Sequence, residues 1–375
     1  MFIVRVGLTA LTLPLAAIAL TGGCSTDMTN VVSRQNVSPD RVQQALQDGA
    51  DPNEQDEYGF TPLAIAIIEN QDTEIVRVLI DAGADVNLPT IEGVTPLHRA
   101  TDSDPAIIEL LVEAGADVNA RNASGELPIH NIARDGTPEN AAALLRAGAE
   151  ANAVDDSGRT PLDLALGRHF NPDSGMQITF SGNPEDRLGM ARTLLEHGAD
   201  PHTGFHLPWA AKEDFDLDLT TLLLEFGADA NWTDPDTGIH ILFVELSSYS
   251  GGTEPAYGGP SPAIARVLLD HGADINAVSR NGYTPLYAAI ESGNLELIRL
   301  YLDRGADVQG GVEDRWSGIT PLRYASGAGP QEPNPVVVEL LLEYGADPTE
   351  PLACRTARNV EAFEGTALLD RLCAP

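Results

Sequence analysis

Lysine is nearly missing from this chain: of its 22 basic residues only Lys212 is a lysine, against 56 acidic residues and a formal net charge of −34. So acidic a balance repels phosphate backbones and anionic membrane surfaces, and no basic stripe with interleaved aromatics offsets it. This argues against a nucleic-acid partner. The acidity suits a basic protein partner, but solubility or adaptation to a salty habitat is the preferred reading. Cysteine is scarce, with Cys24, Cys354 and Cys373 alone, and these lack the Cys/His spacing of a zinc module. Gly-x-Ser-x-Gly, a phosphate-binding loop and His-Glu-x-x-His are absent too, which argues against the common catalytic scaffolds without excluding an enzyme.

What the chain has is a period. Variants of Gly-Ala-Asp-x-Asn begin at Gly49, Gly83, Gly115, Gly148, Gly198, Gly227, Gly272, Gly305 and Gly345, most of them about 33 residues apart. Such a period means a stack of small units rather than a core built from distant segments. In one unit, Thr284 suits a helix N-cap and Pro285 the first turn. A short alanine-rich helix follows, and Ser292-Gly293-Asn294 breaks it. A second helix from Leu295 to Arg304 carries an apolar face of Leu297, Ile298, Leu300, Tyr301 and Leu302. Gly305 then serves as its left-handed cap, and the turn at Asp307 projects toward the next unit.

This pattern resembles the ankyrin-repeat family. The residues that carry the likeness are Thr61-Pro62-Leu63, Thr95-Pro96-Leu97-His98, Leu127-Pro128-Ile129-His130, Thr160-Pro161-Leu162, Thr284-Pro285-Leu286 and Thr320-Pro321-Leu322. The resemblance implies an all-α repeat, an ankyrin solenoid of helix-turn-helix units with β-turn fingers. It spans residues 38–350 with about eight repeats. Pro39 to Asp48 is expected to be the second helix of an N-terminal cap, and residues 351–375 a helix pair closing the other end.

Several units depart from the pattern. Insertions between paired helices fall near residues 169–186, 247–261 and 326–335, and the first contains an alternating run, Met176 to Phe180, that fits one strand of a small ribbon. Between Gly198 and Gly227 the finger is shortened and the Thr cap is lost, so local bending or loosened stacking is expected there.

The start of the chain joins a short basic region, an apolar run from Val6 to Leu20 and small residues up to Cys24. This reads as an export signal over residues 1–23, too short for a convincing membrane span. Leu20-Thr21-Gly22-Gly23-Cys24-Ser25 resembles a bacterial lipoprotein cleavage site, with lipid on Cys24 and a tether over residues 24–37. The leucine stands one place too early, and ordinary cleavage after Ala19 is the alternative. With Cys24 lipidated, Cys354 and Cys373 lie at neighbouring ends of the terminal helix pair, where they form either a disulfide or two buried thiols. The expected location is a periplasm-facing envelope site, weakly the outer membrane because Ser25 is not a retention signal, or else the soluble periplasm.

No catalytic, cofactor or metal residue is expected. His202 and His206 have i, i+4 spacing, but both are expected on a loop. His98 and His130 occupy the family position that bonds neighbouring backbone, while His197 and His271 sit at helix C-termini. Glu213 to Asp218 and Asp234 to Gly238 do not match a calcium loop. Ankyrin arrays commonly grip proteins with finger tips and the concave face of first helices. By position the tips are Glu57, Tyr58, Ile91, Glu92, Ala123, Ser124, Asp156, Ser157, Arg280 and Asn281, with Trp232 and Trp316 also in fingers. The insertions add Phe170, Phe180, Tyr249 and Tyr257. The expected role is a monomeric module for a protein partner. An enzyme built from the insertions and an architectural envelope component are the alternatives.

Overall fold

The computed structural model describes residues 27–34, 37–171, 175–178, 184–202, 206–212, 217–234, 238, 240–243, 260–279, 283–310, 319–328, 333–349, 351–358 and 363–373. Cys24, Arg280, Asn281, Trp316, Phe180, Tyr249 and Tyr257 lie outside them. The chain forms two compact units that divide between Asp117 and Val118. No helix among the described residues is long and apolar enough to cross a membrane.

The first unit opens with a helix where a tether was expected. Met28–Val32 is capped by Asp27 and packs on helices Pro39–Gln47 and Pro62–Ile68. Met28, Val31 and Val32, spaced to share one helical face, are all buried. Gln71 ties the segment down by donating to the carbonyls of Val32 and Arg34. Met28–Val32 is thus the first helix of the N-terminal cap and Pro39–Gln47 its second, and residues 28–32 of the expected tether are helical. Pro62–Ile68 and Thr73–Asp81 form the first complete repeat. In the next, Pro96–Arg99 makes only a single 3-10 turn before Pro105–Glu113. Asp104 caps that second helix, and Pro105 takes its first turn. Leu63, Ile75, Leu79, Leu97, Ile108 and Leu111 are fully buried. Each contributes roughly 1.5–3 kcal/mol by leaving water.

The second unit repeats the scheme with helices Pro128–Asp135 and Pro138–Arg146, then Pro161–Ala165 and Pro184–Glu196. Between the latter two, strands Arg168–Asn171 and Gly175–Ile178 pair antiparallel, with His169 opposite Gln177. The ribbon expected from Met176 onward is thus present, and its other strand comes from the start of the insertion. Next come His206–Lys212 and Leu217–Glu225, the 3-10 turn Ile241–Phe243 with Pro262–Asp270, and Pro285–Ser292 with Leu295–Asp303. Pro321–Arg323 runs on into a π turn, Tyr324–Ala328, before Pro335–Glu343. Ser326, taken from sequence as the start of an insertion, is buried in that turn and donates to the Leu322 carbonyl at 2.7 Å. Pro351–Ala357 and Ala367–Leu372 close the chain. A disulfide joins Cys354 to Cys373, whose Cα atoms are 5.0 Å apart.

All nine motif glycines have φ between 87° and 97°. In this region an L side chain is strained, which is why Gly ends each second helix. Thr284 has the extended backbone of an N-cap, but its buried hydroxyl makes no cap bond. Thr61, Thr160 and Thr320 do make one.

Candidate protein-binding surface

The asparagine of each Gly-Ala-Asp-x-Asn turn holds two modules together. The Asn53 amide donates to the Gly83 carbonyl at 3.0 Å, while its oxygen accepts from the Asp85 N–H at 2.6 Å. Asn87 does the same to Gly115 and Asp117. In the second unit, Asn119, Asn152, Asn231 and Asn276 each bond the next motif glycine and the residue two beyond it. Each of these side chains satisfies one backbone acceptor and one backbone donor in the turn that follows the next module's second helix. At His202 this ladder is interrupted. Its ring turns back to its own Asp200 at 2.9 Å, and among the described residues no bond carries it to the next module.

These ladders fix the fingers. In the first, Asp56 accepts from the N–H groups of Tyr58 and Phe60, and the Tyr58 carbonyl accepts from the Ile91 N–H of the next finger at 3.2 Å. Gln55 adds a bond to the Pro89 carbonyl. The second unit builds the same link between Ser124 and Asp156, with Arg121 in the place of Gln55. The approach is close: a methyl group at Gly125 would stand 2.9 Å from the Asp156 nitrogen and 2.3 Å from its Oδ1.

On this frame Glu57, Tyr58, Ile91, Glu92, Ala123, Ser124, Asp156 and Ser157 are all exposed. Tyr58 is 46% and Ile91 77% open to solvent. Trp232 is half-buried, with its N–H on the Asp229 carbonyl and its own carbonyl holding Ile241. It is thus a less open tip than its place in a finger suggests. Phe170 lies in a strand of the inserted ribbon.

Behind the tips, polar side chains tie first helices to neighbouring fingers. The Nδ1 atom of His130 accepts from the Leu127 N–H, and its Nε2 lies 3.1 Å and 3.2 Å from the carbonyls of Ala153 and Arg159. Burial lowers its pKa, partly offset by the Arg159 carbonyl. Tyr287 occupies the same position, and its hydroxyl shares its one proton between the equivalent carbonyls of Gly310 and Ile319. The Nδ1 atom of His98 likewise accepts from the Thr95 N–H. In the module that follows that of His130 the residue is Asp163. It accepts from the Thr160 N–H and faces His206 Nε2 at 3.1 Å, though off the hydrogen-bond line. His206 is buried as the first residue of its helix and does not lie on a loop with His202. Burial would raise the Asp163 carboxyl, but His206 and Thr160 outweigh it and hold it low. His197 and His271 each bond a carbonyl of their own last helical turn. Among the described residues no cluster of three or more His, Cys, Asp or Glu is placed to hold a metal ion.

A charged network lies beside the fingers of the second unit. Glu126 meets Arg134 at 2.6 Å and Arg159 at 3.4 Å, and Arg159 reaches Asp155 at 2.6 Å. Burial pushes the Glu126 carboxyl up, but Arg134, Asn122 and Arg159 together more than reverse this. In the first unit the Arg99 guanidinium lies 5.4 Å from the centroid of the Phe60 ring. Sequence reading passed over both pairs, because each partner belongs to a different short motif. Aligning the residue before each helix cap would have exposed them.

The repeated finger, ladder and helix pair define a class of protein built as an array of stacked modules. Family models described as ankyrin repeats match residues 30–122, 207–309 and 255–351 in one form and 111–165 in another. The chain belongs to the ankyrin-repeat family. It is 34% identical over 191 residues to human "Ankyrin repeat and SOCS box protein 6", covering 44% of this chain and 42% of that protein. It is 38% identical over 93 residues to "Ankyrin repeat, SAM and basic leucine zipper domain-containing protein 1" of Oryctolagus cuniculus, covering 25% and 18%. The chain spans less than half the length of these relatives. Ankyrin repeats point to a protein-protein interaction module.

Proposed function

We propose that this chain is an exported ankyrin array that grips a protein partner through its finger tips. In this reading lipid on Cys24 holds it, as a monomer, at a bacterial envelope on the periplasmic side. There it neutralises or protects its partner. The observation that carries the binding reading is the pair Tyr58 and Ile91, both exposed and fixed by a backbone bond between their fingers. Large side chains held rigid in water lose little entropy on docking, and such residues make interface anchors. The acidic flanks Glu57 and Glu92 favour a basic rim on the partner. The envelope part rests on the N-terminal pattern, and a Cys354–Cys373 disulfide suits an oxidising compartment.

The test is crosslinking capture from envelope extracts with wild-type protein and an Ile91→Asp variant. One stoichiometric protein, bound at least about tenfold more weakly by the variant, is expected if Ile91 is an anchor. No stoichiometric protein, or equal capture by the variant, sinks the tip-binding reading. Metabolic labelling with an alkyne fatty acid, lost on Cys24→Ser, checks the anchor.

A further inference from the structure

In the second unit, arginines converge on the residue just before a helix cap. Glu126, before Leu127, takes Arg134 at 2.6 Å and Arg159 at 3.4 Å, and Arg159 also holds Asp155 at 2.6 Å. In the first unit the residue before the cap Thr61 is Phe60 rather than an acid, and Arg99 of the next module lies over its ring, 5.4 Å from the centroid. A ring face answers a cation more weakly than a carboxylate does. Among the described residues half-buried Arg99 has no hydrogen bond and no ion pair, and Glu92 acts on it only through space. Its Nε is enclosed without a partner, while its Nη1 and Nη2 ends are not enclosed. Burial pulls its pKa below the usual guanidinium value, and Glu92 restores only part of that. A half-buried guanidinium held against a ring, with no anion to answer it, is costly as it stands. The place that Arg134 fills in the second unit, seventh after the helix cap, is here taken by Ile68, which is 45% exposed.

We propose that the Nη edge of Arg99, backed by Phe60, receives a carboxylate of the protein partner, which supplies there the acid that Glu126 supplies at the matching place. That carboxylate belongs to an acidic side chain or to a chain end. Nη1 and Nη2 fork onto its two oxygens, and the ring covers one face of the guanidinium. The net charge of −34 repels a strongly acidic ligand, so the carboxylate arrives within basic surroundings. Glu92, whose charge Arg99 feels, directly follows Ile91, so the site adjoins the finger tip. The inference rests on the protein-binding reading and adds the partner's chemistry to it.

Fluorescence anisotropy at physiological salt tests it with two labelled peptide pairs. End-blocked Lys-Leu-Glu-Leu-Lys is set against its Gln counterpart, and Lys-Leu-Lys-Leu with a free C-terminus against its amide. In each pair the peptide without the carboxylate is the more cationic, so diffuse attraction to the acidic chain favours it and only a built site favours the other. Whichever carboxylate fits is expected to bind about tenfold more tightly than its neutral counterpart, the effect of one charge-assisted bond. The pair that responds tells side chain from chain end. The preference should vanish in Arg99→Gln, shrink in Arg99→Lys, which keeps the charge but not the fork, and survive in exposed Arg77→Gln. Thermal melts confirm that each variant folds, and the Arg99 Nε–Hε signal in NMR should shift saturably with the preferred peptide. No preference in either pair overturns the proposal, as does a preference that survives Arg99→Gln. A stoichiometric partner captured equally by wild type and Arg99→Gln also overturns it, yet leaves the finger-tip reading standing. Carboxylate-dependent peptide binding with no captured partner leaves this site standing and removes the wider reading.

Discussion

At one position, the residue after Thr-Pro-Leu or its equivalent, two chemistries do one task. His130 and Tyr287 both reach a finger carbonyl and the carbonyl just before the next helix cap. Asp163 instead faces the displaced His206. Replacing His130 by glutamine leaves buried carbonyls unanswered and is expected to cost about 1–3 kcal/mol at neutral pH. Its pH signature separates it from a simple packing defect. Burial holds the His130 pKa below 6.5, so under mild acid the unfolded chain takes up the proton more readily than the folded one. Stability is therefore full above pH 6.5 and is lost as pH falls through the folded value. Urea unfolding from pH 7 down to pH 5 should show a shallower decline for His130→Gln than for wild type; parallel curves would refute this. The histidine role was legible because the family motif spells it. The tyrosine and aspartate substitutes were not, since a tie between modules depends on reach across a stack, which no local pattern records.

Fingers and helix ends test the backbone directly. Gly125 and Gly148 both have positive φ, but only Gly125 has a neighbouring finger within contact. Gly148→Ala is expected to cost about 1 kcal/mol, from the strained dihedral alone. Gly125→Ala should cost about 2–4 kcal/mol, because the new methyl also drives Asp156 away. Chemical denaturation of the pair checks the order, and equal losses would show that the fingers part freely. Elements were read well wherever capping chemistry marks them, as with Pro285–Ser292 and Leu295–Asp303. The failures have local causes. Met28–Val32 is too short for periodicity to reveal, and its order comes from packing on the first repeat. Ser326 looked like loop because Gly327 follows it, yet the helix widens into a π turn that accommodates a φ of 116°.

Over the whole molecule, the repeat period made the fold legible and left the binding surface only half so. Tyr58 and Ile91 were found because fingers protrude. The charged network of Glu126, Arg134 and Arg159 was not, because its members come from two modules. The missing rung at His202 gives a test at this scale. His202→Asn is expected to restore bonds to the Gly227 carbonyl and the Asp229 N–H, raising stability by about 1–2 kcal/mol. Hydrogen exchange should show new protection at Asp229. No gain would mean that the shortened finger, rather than the side chain, sets the gap.

A chain of equal links spreads a pull evenly, whereas one with an odd link does not. Drawn out by a translocating motor or an optical trap, the second unit would yield first between Gly198 and Gly227, so its fragments would come away in a fixed order.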